Sequence, residues 1–531
     1  MIKDWGEVEA EKAMTLVLDG YLYIHDTTKM LMPYCFAFDT SWLMCEGRPF
    51  GSLRSKPPKR LDSFISQCIE TLMDLCQQFA GAIAFPNMIV NSAFFTKDLT
   101  DYQIKNEFQK FIHSSNNEFR VGGDSPFSNI SIFCRESILR TFEKAMYPDG
   151  SLVVDNISEI MRCQEIFMDL ISKGDPISGG NYKFPVTTIN LYAKEGDIKD
   201  VGFLKKLAKY NSRSGAFNIH VGEKLASCCR LTQDLKDLKG VDSFGNGGLS
   251  LGSHRVVTLN LYGIKKDNID LEGCVSSSRK ILISHKNLMR KMKETGIFKF
   301  FNLNWVTMEM FFSTIGYVGL WDSWQLSNPK LDYEEYSKTL LQSIDLRPAD
   351  SCVFNLEEVP AEGASITLAK KFHHPEGILS NQFLPLYKEY CLDDRICITG
   401  KLMKYATGGA ILHLNVNDKM NEGSCEELIK YCVENGVTHF AINNGRSYCE
   451  NGHSELGIVY ECTTCGGKMV DWEMRIVGYN TKVSSWSSRR REEFFKREKY
   501  DLMTVESVTS NDEYIKLSSR AFYNWFKIIN K

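Results

Sequence analysis

Four side chains near the C-terminus carry the donor chemistry of a soft metal ion. Cys449, His453, Cys462 and Cys465 are spaced C-x3-H…C-x2-C. Thiolate and imidazole donors in a set of four suit zinc in a closed tetrahedron, a structural site with no open position for substrate. Gly466 and Gly467 follow directly and supply the backbone freedom that a Cys-x2-Cys knuckle needs. A dithiol redox pair is the weaker use of Cys462 and Cys465, because Cys449 and His453 complete a metal set. His453 is either the fourth ligand or a neighbour of the site. Shortly after the last cysteine comes Arg475-Ile-Val-Gly478-Tyr479. Glycine is the one residue with no side chain on Cα, so its backbone can approach other groups closely. Taken alone, Gly478 is a turn glycine.

The elements that must position these groups read as an alternation. Helical spacing of apolar residues predicts helices over 60–82, 104–119, 133–147, 279–295 and 426–435. Short β-branched and aromatic runs predict strands at 184–192, 256–262, 396–399, 410–416 and 439–442. Short apolar strands between longer helices imply an α/β sheet covered on both faces. The glycine pairs 179–180, 247–248 and 408–409 mark tight turns. Near residue 443 an Asn/Gly/Cys-rich segment replaces the alternation, and a small C-terminal module is expected from there.

Composition narrows the function classes. Hydrophobic residues make up 43% and charged residues 24% of the 531, as in an ordinary globular protein. A formal net charge of -3 argues against a surface that coats nucleic acid. The N-terminal stretch is acidic with no apolar run behind it, so it is not a signal peptide, and no segment reads as a membrane span. A cytoplasmic location follows as the expectation. Seventeen cysteines in such a chain point to free thiols, metal ligands or redox chemistry rather than disulfides. Cys68, Cys76, Cys134 and Cys163 sit in apolar, helix-like windows and are expected to be inert and buried.

The segment 443–495 resembles the C-terminal end of the anaerobic (class III) ribonucleoside-triphosphate reductases, which are glycyl radical enzymes. The resemblance extends over roughly residues 9–500. It is carried by YIHD at 23–26, MPYCFAFD at 32–39, SCCR at 227–230, RVVTLNL at 255–261 and FFSTIGYVGL at 311–320. EVPAEGASITLAKK at 358–371, NQFLP at 381–385, TGGAILHL at 407–414 and WSSRRREEF at 486–494 follow in family order. The implied fold is the ten-stranded α/β barrel of this enzyme class over residues 1–442. A zinc-binding and glycyl radical module would span 443–500, with a tail over 501–531. An N-terminal ATP-cone, which many members carry, is not expected.

The resemblance implies anaerobic reduction of ribonucleoside triphosphates to deoxyribonucleoside triphosphates. Gly478 would store a radical made by an activating enzyme that uses S-adenosylmethionine and a [4Fe-4S] cluster. Cys229 would be the thiyl residue that takes the 3′ hydrogen, with Cys228 as its rival, since cysteine stands here where the family has glycine. Cys35 would supply hydrogen at C2′ from the opposite face. The family often continues Gly-Tyr-Leu-Gly, whereas this chain has Asn480 and Thr481 after Tyr479. Counting back from the 256–261 strand places Ser253 where formate-using members carry asparagine, and Asn246 is the alternative occupant through a loop insertion. Ser253 favours a thioredoxin- or glutaredoxin-like reductant; Asn246 favours formate.

Gly363, Ala364 and Ser365, before the helical run ITLAKK, match the family's phosphate loop and sit where helix N–H groups bind anions. A simple helix cap is the alternative reading, and 407–409 is a second approach point for phosphate. The run 489–499 interleaves arginine with glutamate and reads as a charged helix face toward an activating enzyme. A homodimer and dNTP or ATP effectors acting around 60–125 complete the implied picture. A glycyl radical lyase, with Cys228 and Cys229 as its cysteine pair, and an inactive nucleotide-binding protein are the competing classes.

Overall fold

The computed structural model describes residues 1–49, 53–119, 125–222, 224–226, 232–234, 250–303, 305–327, 331–416 and 420–500; for 224–226 and 232–234 it describes the backbone alone. Its strands are β1 (Leu22–Ile24), β2 (Cys35–Ala37), β3 (Ile83–Phe85), β4 (Ser128–Phe133), β5 (Val186–Leu191) and β6 (Phe217–Val221). A hairpin of β7 (Lys224–Ala226) and β8 (Thr232–Asp234) follows, then β9 (Gly252–Asn260), β10 (Phe311–Val318), β11 (Phe354–Glu358), β12 (Leu412–Val416) and β13 (His439–Asn444). One eleven-stranded sheet runs β11-β10-β9-β2-β3-β4-β5-β6-β13-β12, with β1 attached to β9 off this path.

Strands β2 to β6 are mutually parallel. So are β9, β10 and β11, and so are β12 and β13. Both seams between the halves are antiparallel: Ser253 pairs with Cys35, and Ala441 with Asn218. At the far edges Glu357 on β11 bridges Gly409, just ahead of β12, and the Gly408 N–H donates to the Leu356 carbonyl at 2.7 Å.

Helices cover this sheet: α1 (Leu61–Gln78), α2 (Asp101–Ser115), α3 (Arg135–Thr141), α4 (Ile157–Lys173), α5 (Val201–Asn211), α6 (Leu271–Glu294), α7 (Ala364–Lys371), α8 (Leu392–Met403) and α9 (Glu422–Glu434). A further helix, α10 (Ser488–Lys496), packs Phe494 with Met474, Val483 and Trp486. Strands β4, β5, β6 and β9 are buried at every position, as expected of parallel strands covered on both faces. Caps set the helix starts. Thr100 and Gln103 form a reciprocal capping box on α2, and the Asp270 carboxylate accepts from the N–H groups of Glu272 and Gly273 on α6. Cys68, Cys76 and Cys163 lie buried in α1 and α4, and Cys134 is buried at the start of α3.

Two expected elements differ. The run 396–399, expected as a strand, lies inside α8, where Asp393 and Asp394 occupy the first turn and the Cys391 sulfur accepts the Asp394 N–H. Favourable capping and acidic residues at a helix N-terminus outweigh four β-prone residues. The window 133–147, expected as one helix, holds the end of β4 and the short α3, whose N-cap Cys134 is extended. Among the described residues, no helix is long and apolar enough to cross a membrane.

A second, smaller sheet follows β13 immediately. It comprises β14 (Arg446–Cys449), β15 (Ser454–Leu456), β16 (Met469–Arg475) and β17 (Asn480–Lys482), in the order β15-β14-β16-β17.

Candidate active site and metal cluster

The small sheet carries the metal-type cluster at one end and Gly478 at the other. Cys449 closes β14 and pairs with Met469, the first residue of β16. Ligand atoms of Cys449, His453, Cys462 and Cys465 all lie within 4.8 Å of one another. Cys449 Sγ is 3.5 Å from His453 Nδ1 and 3.9 Å from Cys465 Sγ, and Cys462 Sγ is 3.7 Å from the same Nδ1. A tetrahedron with metal–sulfur bonds of about 2.3 Å and metal–nitrogen bonds of about 2.0 Å has edges of roughly 3.5–3.8 Å. The four donors therefore stand at zinc spacing, and Nδ1 is the histidine atom turned into the cluster. The His453 N–H donates to Cys449 Sγ at 3.3 Å, and Asn451 Nδ2 donates to Cys465 Sγ at 3.3 Å. The Asn451 amide and the Gly467 N–H hold the Cys465 thiol down to about 6, which favours the thiolate that binds metal.

Gly478 lies in the turn 476–479 between β16 and β17, and it is buried. The turn is walled by distant segments. Arg475 directs its guanidinium to Asn443 Oδ1 at 3.0 Å, to the Gly478 carbonyl at 3.3 Å and to the carbonyls of Gly215 and Ala216. Burial pulls this guanidinium down to about 10. Arg497 donates to the carbonyls of Arg475 and Ile476 at 2.8 and 2.7 Å. Tyr479 packs its ring on Phe127 and Phe184, with centroids 5.5 and 5.4 Å away. A side chain at position 478 would put its Cβ 3.3 Å from Phe127 Cζ and 3.7 Å from Glu362 Oε1.

Phe127 also packs on Ala82, the residue that the cysteine on β2 packs against, as does Phe312. Cys35 Sγ accepts the Ala82 N–H at 3.3 Å, and a Cβ on Gly81 would stand 2.7 Å from that sulfur. A small residue at 81 is therefore what gives the thiol its place. The strand that carries Cys35 is aimed by one buried arginine. Arg255 donates to the carbonyls of His25, Asp26, Lys29 and Met32, organising the approach to β2. Burial, then the charges of Cys35, Asp26, Glu362 and Glu357, push the neighbouring Tyr34 phenol far up. Acidic groups and the thiol thus share one environment.

Ser253 is the cross-strand partner of Cys35. Its hydroxyl is 2.9 Å from Thr314 Oγ1 and donates to the Arg255 carbonyl at 3.3 Å. Asn246, Cys228 and Cys229 lie outside the described residues. The β7 and β8 strands on either side of 227–231 pair with Thr232 opposite Ala226, and β7 rests against β5 and β6.

Gly363 is the N-cap of α7, and Ala364 and Ser365 form its first turn. Among the described residues, chain neighbours aside, nothing lies within 4 Å of where a Cβ at 363 would sit. Ser365 is fully buried, and its hydroxyl accepts from Arg490 Nη2 at 2.8 Å. In the 407–409 turn Thr407 Oγ1 accepts the Leu356 N–H, and a Cβ on Gly408 would meet the Asn355 side chain at 2.8 Å. The charged run 489–499 is not a solvated face alone, because Arg490, Glu493 and Arg497 point inward and are buried. Phe127, Gly81 and Asn443 escaped the sequence reading, since no motif marks them; Glu362 and Arg497 lie within the runs 358–371 and 489–499, where nothing local gives either of them a role.

Comparison with known proteins decides the family. The family model for anaerobic ribonucleoside-triphosphate reductase matches residues 2–500. The chain belongs to that family. It is an enzyme that reduces ribonucleoside triphosphates to deoxyribonucleoside triphosphates by radical chemistry. Among solved structures, an anaerobic ribonucleotide reductase is 28% identical with a TM-score of 0.82, covering 94% of this chain and 86% of the other. The Thermotoga maritima enzyme in complex with dATP and CTP is also 28% identical, with a TM-score of 0.80 over 92% of this chain and 87% of that one. The same enzyme with dATP in its specificity site gives a TM-score of 0.79 at 28% identity, over 92% and 88% of the two chains. A search of curated proteins finds no significant match. The α/β fold is thus that of the class III reductases, joined to a C-terminal Cys/His cluster suited to a structural zinc ion.

Proposed function

We propose that Gly478 stores the radical of this reductase, that Cys229 carries it to the substrate, and that Cys35 serves the opposite face of the ribose. The observation that carries the proposal is the burial of the Gly478 turn against Phe127, a ring that packs on Ala82, the same residue Cys35 packs on. A surface turn would leave a carbon radical open to solvent and oxygen; this one is closed by aromatic rings and two arginines. Cys228 stays the rival of Cys229, both lying between β7 and β8. The Glu357–Gly409 bridge supports closure of the sheet into a ten-stranded barrel around these groups.

The steps balance as follows. Gly478, as a radical, takes hydrogen from the Cys229 thiol, forming Cα–H and a thiyl. The thiyl takes the 3′ hydrogen of the ribose. The 2′ hydroxyl leaves as water with the proton of the 3′ hydroxyl, and Cys35 delivers hydrogen to the C2′ radical, leaving a 3′ ketone and a Cys35 thiyl. The reductant restores the Cys35 thiol with one electron and proton and converts the ketone to the 3′ radical with the other. The 3′ hydrogen then returns from Cys229, and the glycyl radical is regenerated. The net change consumes two electrons and two protons per nucleotide. Either formate, oxidised to carbon dioxide, or the dithiol of a small redoxin, oxidised to a disulfide, supplies them.

Ser253 favours the redoxin. Its hydroxyl is already engaged by Thr314 and the Arg255 carbonyl, and a serine lacks the paired donor and acceptor of an amide. Activated enzyme with formate alone is expected to turn over little, and with a reduced redoxin to turn over repeatedly. Sustained turnover on formate would point instead to Asn246.

Cys449, His453, Cys462 and Cys465 would hold one zinc ion, whose contribution is structural: it ties the hairpin of β14 and β15 to the start of β16. Residues 443–500 then act as the radical module on a catalytic unit over 1–442. Gly363, Ala364 and Ser365 would receive the substrate phosphates at the α7 N-terminus. The dATP and CTP held by the Thermotoga maritima relative support dNTP effectors and a triphosphate substrate here too. The remaining partners are a radical S-adenosylmethionine activating enzyme with a [4Fe-4S] cluster and a second copy of the chain.

The test is anaerobic reaction with such an activating enzyme, followed by electron paramagnetic resonance and product analysis with each ribonucleotide. A glycyl doublet with dNTP formation is expected, and oxygen should then cut the chain at Gly478. A folded, zinc-loaded chain that gives no doublet, or a break mapped elsewhere, overturns the assignment.

A further inference from the structure

Helix α10 buries charge without an obvious folding reason. Arg490 and Glu493 have side chains 1% and 2% exposed and meet at 2.6 Å; Arg497, just past the helix, is 1% exposed and lies 3.4 Å from the same carboxylate oxygen. Taking such groups out of water is costly unless every one is well paired, and apolar side chains would fill the space more stably. Two guanidinium groups face one carboxylate, so the cluster carries a surplus positive charge. Burial alone would raise the Glu493 carboxyl, but the charges of Arg490 and Arg497 outweigh it and hold it below its ordinary value.

The cluster has two ends. Arg490 donates to Ser365 Oγ at 2.8 Å and to the Glu362 carbonyl at 3.4 Å, both in the segment before and within the first turn of α7. Arg497 donates to the carbonyls of Arg475 and Ile476, the backbone that leads into Gly478. Glu493 Oε2 accepts from both arginines. A continuous series of hydrogen bonds thus runs from the 360–365 loop to the glycine turn. Glu362 makes a second link, since its carbonyl is held by Arg490 while its carboxylate stands against Gly478.

We propose that Arg490, Glu493 and Arg497 are positioning residues that make the seating of the Gly478 turn depend on occupancy of the 360–365 loop. This rests on the reading that the loop takes substrate phosphates and that Gly478 holds the radical. The Ser365 oxygen already accepts from Arg490 at 2.8 Å, and a polyphosphate taking the Ser365 hydroxyl proton polarises that oxygen into a stronger acceptor. Binding therefore fixes Arg490, Glu493 passes the restraint on, and Arg497 tightens the backbone around residues 475 and 476. The radical is then best protected when substrate is present to use it.

Hydrogen exchange on the full-length, zinc-loaded, unactivated enzyme tests this, with inorganic tripolyphosphate and, separately, CTP plus dATP as probes. Each probe is expected to slow exchange at 360–365 and also at 476–479, the latter by about fivefold or more. Glu493→Gln should bind both probes nearly as well as the parent and protect 360–365, yet lose the added protection at 476–479. Arg490→Lys, which keeps the charge and one donor, should retain part of it. Should Glu493→Gln fail to fold, Arg497→Lys takes its place with the same expectation. Full added protection at 476–479 in the variant, or none in the parent at saturating probe, overturns the relay while leaving the two site readings intact. Absence of protection at 360–365 overturns the phosphate reading and the relay together. A glycyl doublet that survives Gly478→Ala overturns the radical reading and with it the relay.

Discussion

The two ends of strand β16 are built on opposite principles. At Met469 the strand joins a knot whose four donors all come from residues 449–465, a local hairpin and knuckle. At Arg475 it enters a turn walled by Phe127, Phe184, the Gly215 and Ala216 carbonyls, Glu362, Asn443 and Arg497, drawn from most of the chain. At about 3.3 Å per residue the strand separates them by roughly 20 Å. The knot therefore acts on the turn only through the strand it anchors. Metal affinity can be concentrated in a short segment, because the ion itself gathers the ligands. Protection of a reactive carbon cannot, because it requires surfaces that only a folded sheet brings together.

The sharpest way to break this contrast is Gly478→Ala. The added Cβ meets Phe127 Cζ at 3.3 Å, a contact the ring can relieve by a few tenths of an ångström. Stability should fall by only about 1 kcal/mol. Turnover should fall by at least ~100-fold, and the glycyl doublet should vanish. Thermal melting beside paramagnetic resonance separates the two effects; a persistent doublet would mean that another residue stores the radical.

Next in size is loss of the knot. Cys462→Ala combined with Cys465→Ala should take zinc from one ion per chain to none, because two ligands cannot hold it. The yield of glycyl radical should drop steeply while the main sheet melts near its parent temperature. Undiminished radical yield in the zinc-free variant would show that contacts from the rest of the chain alone hold the turn.

Gly81→Ala probes the main sheet without touching either end of β16. Its Cβ would stand 2.7 Å from Cys35 Sγ and 3.0 Å from the Tyr34 carbonyl, so the thiol must move. A cost of about 1–3 kcal/mol is expected from the crowding. Turnover should fall on the order of 100-fold from a misplaced reacting group, with the doublet intact. Normal turnover would remove Cys35 from the reaction.

The smallest effect is expected from Phe127→Leu. The shorter side chain still fills most of the space beside Ala82 and Gly478, and the cost should be about 1 kcal/mol. The turn should admit oxygen sooner, and the doublet should decay several-fold faster in air-exposed samples. An unchanged decay would mean that Phe184 and Tyr479 suffice as the screen.

Much of this was legible in the chain. The zinc-type spacing, the helices α1, α6 and α9, and the strands β5, β12 and β13 follow from side-chain types and period. The pairing of Ser253 with Cys35 bears on a residue that counting along the sequence had singled out. The 396–399 run misled because its residues suit a strand while its neighbours cap a helix, and the neighbours won. The 489–499 run misled in another way: its alternating charges resemble a solvated face, and nothing local reveals that three of them turn inward.

What the sequence by itself determined is the set of groups capable of chemistry: four soft donors, a glycine in a distinctive setting, candidate thiols and a helix start open to anions. Those are properties of residue type and near spacing, and they survive in an unfolded chain. Only the tertiary structure decided which groups meet. Phe127 against both the Gly478 turn and the Ala82 that Cys35 packs on, Gly81 beneath a sulfur, and Arg497 on the backbone of the glycine turn all depend on contacts between residues far apart along the chain. Such contacts arise where strand register and helix packing close on one another, and no short window of sequence contains that information.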